Sequence, residues 1–235
     1  MKALNLEIVT KSGSVRKQFE IRRMVNAGYV GRDLQAVKAH IDELAQLGVP
    51  APTRVPMIFP ALLSILTTGS EIEVIGNTTS GEAEFVLILD GEEAFVGVGS
   101  DHTDRELETY SLVKSKQICP NVLSAQVWPY EEVESVWDEL VLRSWLKSTP
   151  AASELVLYQE ATLATIISPS SLIDLLKSQL TDGNMDGMVI FSGTVPLLTD
   201  ETICGVQFSA ELFDPHSDRK LTCSYYVNQL DFLIE

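Results

Sequence analysis

Short apolar runs separated by turn-forming residues make up most of the chain. Between residues 53 and 99, glycine, threonine, asparagine and serine separate the runs VPMIF, ALLSIL, IEVIG, AEFVLIL and AFVGV, a pattern typical of strands joined by turns. Similar runs before and after this region are KALNLEIV, QFEIRRMVNAGYVG, ELVLYQEATLATI, DGMVIFSGT, GVQFSAELFD and LTCSYYV. The pattern therefore predicts a fold dominated by β-strands.

Three segments show helical spacing of apolar residues instead. The first begins after Asp33, which can cap a helix, and ends at Gly48. The second spans residues 130–146, with an apolar stripe that includes Trp137. The third is SPSSLIDLLKSQL, at residues 168–180. The chain is therefore predicted to fold as a β-rich α+β protein with three helices.

The domain organisation follows from chain length and from the order of these elements. A chain of 235 residues can bury a sizeable core, and we see no internal repeat or low-complexity linker in it. We expect a single domain over residues 1–235. Within it, residues 1–52 would form an N-terminal lobe that carries the first helix, and residues 53–235 a β-rich core.

Charge and composition exclude several classes of function. The formal net charge is −16, from 33 acidic and 17 basic residues, and such a surface repels nucleic acid. No apolar run approaches the roughly 18–20 residues that a membrane span needs, and no signal peptide is recognisable. The cysteines, Cys119, Cys204 and Cys223, match neither a disulfide framework nor a zinc pattern. We therefore expect a cytoplasmic protein without nucleic-acid or membrane partners.

Two glutamates introduce the first candidate chemistry. Glu82 and Glu84 are two positions apart at the polar start of the strand AEFVLIL, so their side chains point to the same face. Like charges held side by side repel each other unless a cation lies between them, and carboxylate oxygens suit magnesium. The alternative is an acidic strand end exposed to solvent.

A dense polar stretch, GSDHTDRE at residues 99–106, follows the next predicted strand. If Asp101 joined the two glutamates, the site would have three oxygen ligands, leaving about three positions of an octahedral magnesium ion for substrate and water. His102 should point the opposite way on an extended backbone, so it is not expected to bind the same ion. Arg105 is expected to pair with a nearby carboxylate.

The first helix carries a candidate general base. His40 and Glu43 are three residues apart, on one face of the helix. A carboxylate beside an imidazole fixes its tautomer and raises its basicity, which suits a base that takes a proton from water. The alternative is an ordinary solvated helix face.

Other catalytic motifs find little support. The strand that ends in IFSGTVP, residues 190–196, permits a close approach of backbone and hydroxyl to a ligand. The phosphate-binding and dinucleotide-binding glycine motifs are absent, as is the GxSxG nucleophile turn. Cys119 could act as a nucleophile, although nothing in its spacing favours this role.

In chain order, the motifs resemble the fumarylacetoacetate hydrolase superfamily, and most closely a branch of unknown function within it. The family pattern has a glycine–arginine turn, a lid helix with HxxE, a strand with ExE, and a loop with a ligand aspartate. A lysine before a proline and a strand ending in glycine–threonine follow, here in KSKQICP and DGMVIFSGTVP. The resemblance covers residues 31–196, although the gap between Glu84 and Asp101 is shorter than is typical of the family.

The resemblance implies roles for individual residues. The three carboxylates would bind Mg²⁺ or Mn²⁺, and the His40–Glu43 pair would activate water. Lys116 or Lys114 would neutralise developing negative charge, and we prefer Lys116. The substrate would contact the arginine of the turn and the glycine and threonine of the last motif, which are Arg32, Gly193 and Thr194.

The resemblance also implies a mixed β-roll with a few peripheral helices, usually in a homodimer, and a reaction class. The leading hypothesis is a metal-dependent hydrolase of a carbon–carbon bond in a small 2-oxo or 1,3-dicarbonyl acid. A hydratase, isomerase or decarboxylase (a lyase) on the same scaffold is the first alternative. A non-catalytic binding protein is the second, because the residues that hold the substrate carboxylate in this family have no clear counterpart here.

Overall fold

The computed structural model describes residues 1–46, 48–199 and 201–233. Strands dominate them, and in chain order these are β1 (Lys2–Thr10), β2 (Gly13–Ile21), β3 (Arg23–Gly28), β4 (Met57–Ala61), β5 (Leu66–Thr67), β6 (Glu71–Val74), β7 (Thr79–Ser80), β8 (Ala83–Asp90), β9 (Glu93–Asp101), β10 (Thr103–Asp104), β11 (Asn121–Leu123), β12 (Gln126–Pro129), β13 (Val141–Lys147), β14 (Val156–Thr162), β15 (Met188–Phe191), β16 (Gln207–Asp214) and β17 (Arg219–Gln229). The α-helices are α1 (Leu34–Gln46), α2 (Arg105–Glu108), α3 (Leu112–Ile118) and α4 (Pro169–Gln179).

Within the described residues, the strands form two larger sheets and one short pair. The large sheet has the order β2-β1-β12-β9-β8-β15-β3-β4, with β11 beside β9 and β5 beside β11, and it curls into a half-barrel. The smaller sheet has the order β14-β13-β16-β17-β6, and β10 pairs with β7. The predicted β-rich α+β class is therefore confirmed.

Strand β8 is buried on both faces, which explains why its sequence is a nearly continuous apolar run. Phe85 and Leu87 belong to a core that the large sheet shares with the smaller sheet and with α4. Val86 and Ile88 belong to a second core, formed among strands of the large sheet. Because side chains alternate, Glu84 continues the face of Val86 and lies at the polar end of this second core.

The N-terminal segment contributes strands to the same large sheet. Strand β1 pairs with β2 and, in parallel, with β12, and β3 pairs in parallel with β15, next to β8. The first strands and the candidate site therefore share one sheet. The single domain and its division at residue 52 stay predictions.

Two predicted helices are confirmed and one is wrong. Helix α1 begins after Asp33, whose Oδ1 accepts hydrogen bonds from the backbone N–H groups of Gln35 and Ala36, and α4 lies within the third predicted segment. The segment 130–146 instead forms two 3₁₀ turns and then β13.

The reason for the difference lies in two competing patterns within that segment. Trp137 is buried in the second 3₁₀ turn and packs edge-to-face on Phe85, with ring centroids 4.9 Å apart. From Val141 onward burial alternates along the chain, as a strand requires.

The sequence pattern does not predict two short helices, α2, which follows β10 directly, and α3, which begins at Leu112. The predicted strand QFEIRRMVNAGYVG is also divided, with β2 ending at Ile21 and β3 beginning at Arg23. No described helix is both long enough and apolar enough to cross a membrane.

Candidate metal centre

Three carboxylates meet where β8 begins and β9 ends. Glu82 precedes β8, Glu84 lies on it, and Asp101 is the last residue of β9. The backbone N–H of Asp101 donates to the carbonyl of Glu82 at 3.2 Å, which aligns the two strands. One oxygen from each side chain can be chosen so that all three lie within 4.8 Å of one another. We call these three residues the carboxylate cluster; the sequence predicts this same set.

Glycines give the cluster its shape. Gly99 pairs with Glu84 across the two strands, and a Cβ at Gly99 would lie 2.6 Å from the backbone oxygen of Val122. Gly193 has φ +83°, a conformation that favours glycine. Its backbone N–H donates to Glu84 Oε2 at 3.0 Å. Gly193, predicted to contact substrate, therefore holds one of the cluster carboxylates.

Two of the three cluster residues are buried, and the carboxylate of Asp101 is short of hydrogen-bond donors. Asp101 is 0% exposed and Glu84 is 1% exposed. Neither carboxylate oxygen of Asp101 accepts a hydrogen bond from the described residues. The Nζ atom of Lys116 lies 2.8 Å from Asp101 Oδ2, but it makes an ion pair there without hydrogen-bond geometry. A buried carboxylate with free oxygen lone pairs is suited to bind a cation.

A buried lysine and a partly buried arginine lie against the cluster. Lys116, on α3, donates to Glu82 Oε2 at 2.7 Å and to Thr103 Oγ1 at 3.0 Å. Arg105 donates to Glu82 Oε1 and to Glu108 Oε2, each at 3.0 Å. Arg105 thus pairs with carboxylates as the sequence predicts. Lys116 faces the cluster, whereas Lys114 is exposed.

Burial and neighbouring charges shift the pKa values of all three cluster carboxylates. Burial raises the pKa of Glu84 well above its ordinary value, and the charge of Asp101 adds to the effect. Burial also raises the pKa of Asp101 to about 6, against the opposing influence of Lys116. For Glu82 burial acts in the same direction, but Lys116 and Arg105 outweigh it and lower the pKa to about 2.

The donor set fits a hard divalent cation. The three cluster carboxylates and Glu108 face only Lys116 and Arg105 as cations among the described residues, an excess of two negative charges when all are ionised. Oxygen ligands in this number and this charge match Mg²⁺ or Mn²⁺ rather than a softer metal. The residues present therefore could hold such an ion.

His102 points away from the cluster, as the alternation along β9 and β10 predicts. Its Nδ1 is 2.9 Å from Tyr225 Oη, and its Nε2 is 3.0 Å from Thr79 Oγ1. Burial lowers its pKa to about 3, with a further contribution from Arg105, so the ring is neutral at physiological pH. Sequence reasoning missed Tyr225, because it alternates with exposed residues in β17 like any core position.

The His40–Glu43 pair lies on α1, outside the buried site. Nδ1 of His40 is 3.9 Å from Glu43 Oε2, and the side chains are 62% and 73% exposed. Among the described residues, neither side chain hydrogen-bonds or pairs with the carboxylate cluster. The structure therefore does not bring the predicted base and the predicted metal ligands into direct contact.

The remaining predicted substrate residues lie in two places. Thr194 adjoins the cluster: its Oγ1 donates to the carbonyl of Ala83 at 2.7 Å and accepts from Gln159 Nε2 at 2.8 Å. Arg32 instead makes a two-point ion pair with Asp138, at 2.6 and 2.8 Å.

Arg32 lines a cleft of about 770 Å³, to which α4 contributes its first residues. The cluster carboxylates do not line this cleft. Val30, however, lines it, and a Cβ placed on Gly193 would lie 2.7 Å from Val30. The cleft therefore adjoins Gly193, whose backbone N–H contacts Glu84.

Comparison with known proteins places this site in a recognised fold. The family model described as "Protein of unknown function (DUF2848)" matches residues 27–225. Crystal structures of Cg1458 superpose with a TM-score of 0.64 at 13% identity, covering 97% of this chain and 100% of that chain. No curated protein matches the chain.

Two further structures carry names that describe an activity. A 2-keto-3-deoxy-D-arabinonate dehydratase complexed with magnesium and 2,5-dioxopentanoate has a TM-score of 0.61 at 14% identity, covering 91% of this chain and 76% of that chain. A fumarylacetoacetate hydrolase from psychrophilic Exiguobacterium antarcticum has a TM-score of 0.57 at 12% identity, covering 92% and 81%. At such identities the likeness shows the fold, and the expected fumarylacetoacetate hydrolase-like fold is confirmed.

Proposed function

The chain belongs to the DUF2848 family of proteins of unknown function, and from this premise we propose that it is a divalent-metal-dependent hydrolase. Its substrate would be a small 2-oxo or 1,3-dicarbonyl acid, cleaved at a carbon–carbon bond. The observation that carries the proposal is the carboxylate cluster, with three carboxylate oxygens within 4.8 Å of one another beside Lys116. The hydrolase and dehydratase among the similar structures support the reaction class.

The cluster would hold Mg²⁺ or Mn²⁺, which would supply Lewis-acid stabilisation of negative charge developing on the substrate oxygens. Lys116 contributes a second positive group, fixed by Glu82 and Thr103. Because the site is buried, its ammonium group acts in a low-dielectric environment and stabilises such charge more strongly than in water. Gly193 and Thr194 would limit the space beside the cluster that the substrate can occupy.

The His40–Glu43 pair would supply the general base. A neutral imidazole accepts a proton from water, and the neighbouring carboxylate stabilises the imidazolium that forms. Both side chains are exposed on α1, and the family resemblance implies that this helix would act as a lid over the bound substrate. Arg32 would bind a distal substrate group in the adjoining cleft, and the homodimer implied by the resemblance is part of this proposal.

The decisive experiment combines calorimetry with a substrate panel. Mg²⁺ binding to the full chain is measured directly, and acylpyruvates, 2-oxo acids and lactones are then tested for turnover with Mg²⁺ present. Glu82→Gln should abolish both Mg²⁺ binding and turnover. Glu106→Gln is the control, since this carboxylate is exposed on α2, and it should leave both unchanged. Absence of Mg²⁺ binding to the unmodified protein would overturn the proposal.

A dehydratase is the second candidate, favoured by the exposure and the 3.9 Å separation of the His40–Glu43 pair. A dehydratase releases water and keeps the carbon skeleton, whereas a hydrolase consumes water and yields two products. Mass spectrometry of the products in ¹⁸O-labelled water separates the two reactions. Metal binding without turnover on any member of the panel would favour a binding protein instead.

A further inference from the structure

A buried chain of hydrogen bonds lies behind the carboxylate cluster, on the opposite face of β9. Tyr225 Oη is 2.8 Å from Ser100 Oγ and 2.9 Å from His102 Nδ1. Ser100 Oγ accepts a hydrogen bond from the backbone N–H of Glu82 at 3.2 Å. All these side chains are at most 1% exposed apart from that of Glu82, so water does not compete for these contacts.

These hydrogen bonds involve the residues on both sides of Asp101. Ser100 and His102 flank Asp101 in sequence, and alternation places their side chains opposite its carboxylate. One phenol oxygen therefore fixes both neighbours of one cluster residue and, through Ser100, the backbone of another, Glu82. A single hydroxyl group is thus linked to the backbone segments that carry two of the three carboxylates.

Tyr225 belongs to the smaller sheet, so its contacts with Ser100 and His102 are part of the packing between the two sheets. It lies on β17 and pairs with Phe208 of β16. A Cβ on Gly81 would lie 2.7 Å from both the Phe208 ring and Tyr225 Oη. The turn before Glu82 can approach the phenol this closely because residue 81 has no side chain.

We propose that Tyr225 is a positioning residue for the metal centre, which joins the smaller sheet to the strands that carry Glu82 and Asp101. The inference rests on the proposed metal site. Hydrogen-bond partners that orient ligand residues commonly change metal affinity by about 10–100-fold when they are removed. Loss of the phenol oxygen alone should therefore weaken Mg²⁺ binding without removing any ligand.

The test uses Tyr225→Phe in the full chain, with Tyr226→Phe as its matched control. Tyr226 is the next residue of β17 and is 52% exposed. Calorimetry should show Mg²⁺ affinity lowered about tenfold or more in Tyr225→Phe and unchanged in Tyr226→Phe. An unchanged affinity in a folded Tyr225→Phe protein would overturn the inference.

A second measurement separates this inference from the proposed function. Amide hydrogen exchange in metal-free protein reports the Glu82 N–H directly, and it should be faster in Tyr225→Phe than in the control. Unmodified protein that binds no Mg²⁺ would end the proposed function, and the exchange rates would still decide whether Tyr225 holds Glu82. If Tyr225→Phe does not fold, Ser100→Ala breaks the link between the phenol and the Glu82 backbone and should likewise weaken Mg²⁺ binding; unchanged affinity there would count against the inference.

Discussion

The carboxylate cluster and helix α1 differ in how firmly the fold holds their polar groups. Glu84 and Asp101 are almost fully buried, and contacts of 2.7–3.0 Å hold Glu82 and Glu84. His40 and Glu43 are largely exposed and stand 3.9 Å apart. Strand pairing therefore positions the cluster before any ligand arrives, whereas no hydrogen bond or ion pair with the rest of the described residues fixes the His–Glu pair. Metal binding and catalysis should thus be separable by mutation.

The largest effect is expected at the centre of the cluster. Asp101→Asn removes the carboxylate that bridges β9 to Lys116, and it should lower Mg²⁺ affinity by more than about a hundredfold, beyond what loss of an outer partner costs. Turnover should be lost with it. Calorimetry and the substrate panel measure both, with the exposed Asp174→Asn on α4 as the control. Tight Mg²⁺ binding by Asp101→Asn would mean that the cluster is structural.

On helix α1 the opposite result is expected, a loss of turnover without a loss of metal binding. His40→Ala should reduce turnover by about 10²–10⁴-fold if the histidine is the general base, with Mg²⁺ affinity and melting temperature unchanged because its side chain is exposed. His216→Ala is the control, since His216 is also exposed and lies 2.9 Å from a glutamate, Glu139. Retained activity in His40→Ala would favour the dehydratase or decarboxylase mechanism.

The contrast also explains which parts of the site could be predicted from sequence. Alternation along one strand is local, so Glu82 and Glu84 could be assigned to one face, and His102 to the face opposite Asp101, without any structure. Pairing between strands is not local. The close approach of Asp101 to Glu82, and the arrival of Tyr225 from β17, depend on register and sheet packing that no local pattern contains.

The helices likewise show that contacts between distant segments cannot be predicted from local spacing. Segment 130–146 has apolar residues at helical spacing, but Trp137 packs on Phe85 of a distant strand and β13 pairs with β14 and β16. Tertiary contacts thus override local spacing. Helix α3 is short and was not predicted, so nothing in the sequence could show that Lys116 faces the cluster while Lys114 faces solvent.

A third effect, on stability, tests whether Lys116 stabilises the carboxylate cluster in metal-free protein. Lys116→Met leaves Asp101 without its cation and Glu82 with Arg105 alone. Breaking one side of a buried ion pair costs about 3 kcal/mol or more, so the free energy of unfolding of metal-free protein should fall by that order. Lys114→Met should be neutral. Urea titration measures both, and equal stability of the two variants would show that the lysine contacts are energetically unimportant.

The smallest effect is a pH dependence of folding stability that arises from the titration of Asp101. Its pKa is raised from the ordinary 3.8 to about 6, so the folded protein binds this proton more tightly than the unfolded chain does. Its contribution to stability is therefore greatest at low pH and is lost as the pH rises from about 4 to about 6. His102, whose pKa is lowered, contributes in the opposite direction over part of this range, so the trend of one protein alone is ambiguous.

The difference between the unmodified protein and Asp101→Asn removes that ambiguity, because His102 is present in both. The melting temperature of the unmodified, metal-free protein, relative to that of Asp101→Asn, should decline by a few degrees between pH 4.5 and 6.5, since each kcal/mol corresponds to about 2–4 °C in a chain of this size. The charge of Asp101 also raises the pKa of Glu84, so Asp101→Asn lowers the pKa of Glu84. The Glu84 and Asp101 contributions to this difference therefore both decline as the pH rises. Saturating Mg²⁺ should abolish the decline by favouring the ionised carboxylates. A difference that does not vary with pH would show that Asp101 is ionised throughout, held by Lys116 alone, and the cluster would then have less need of a metal ion than its burial implies.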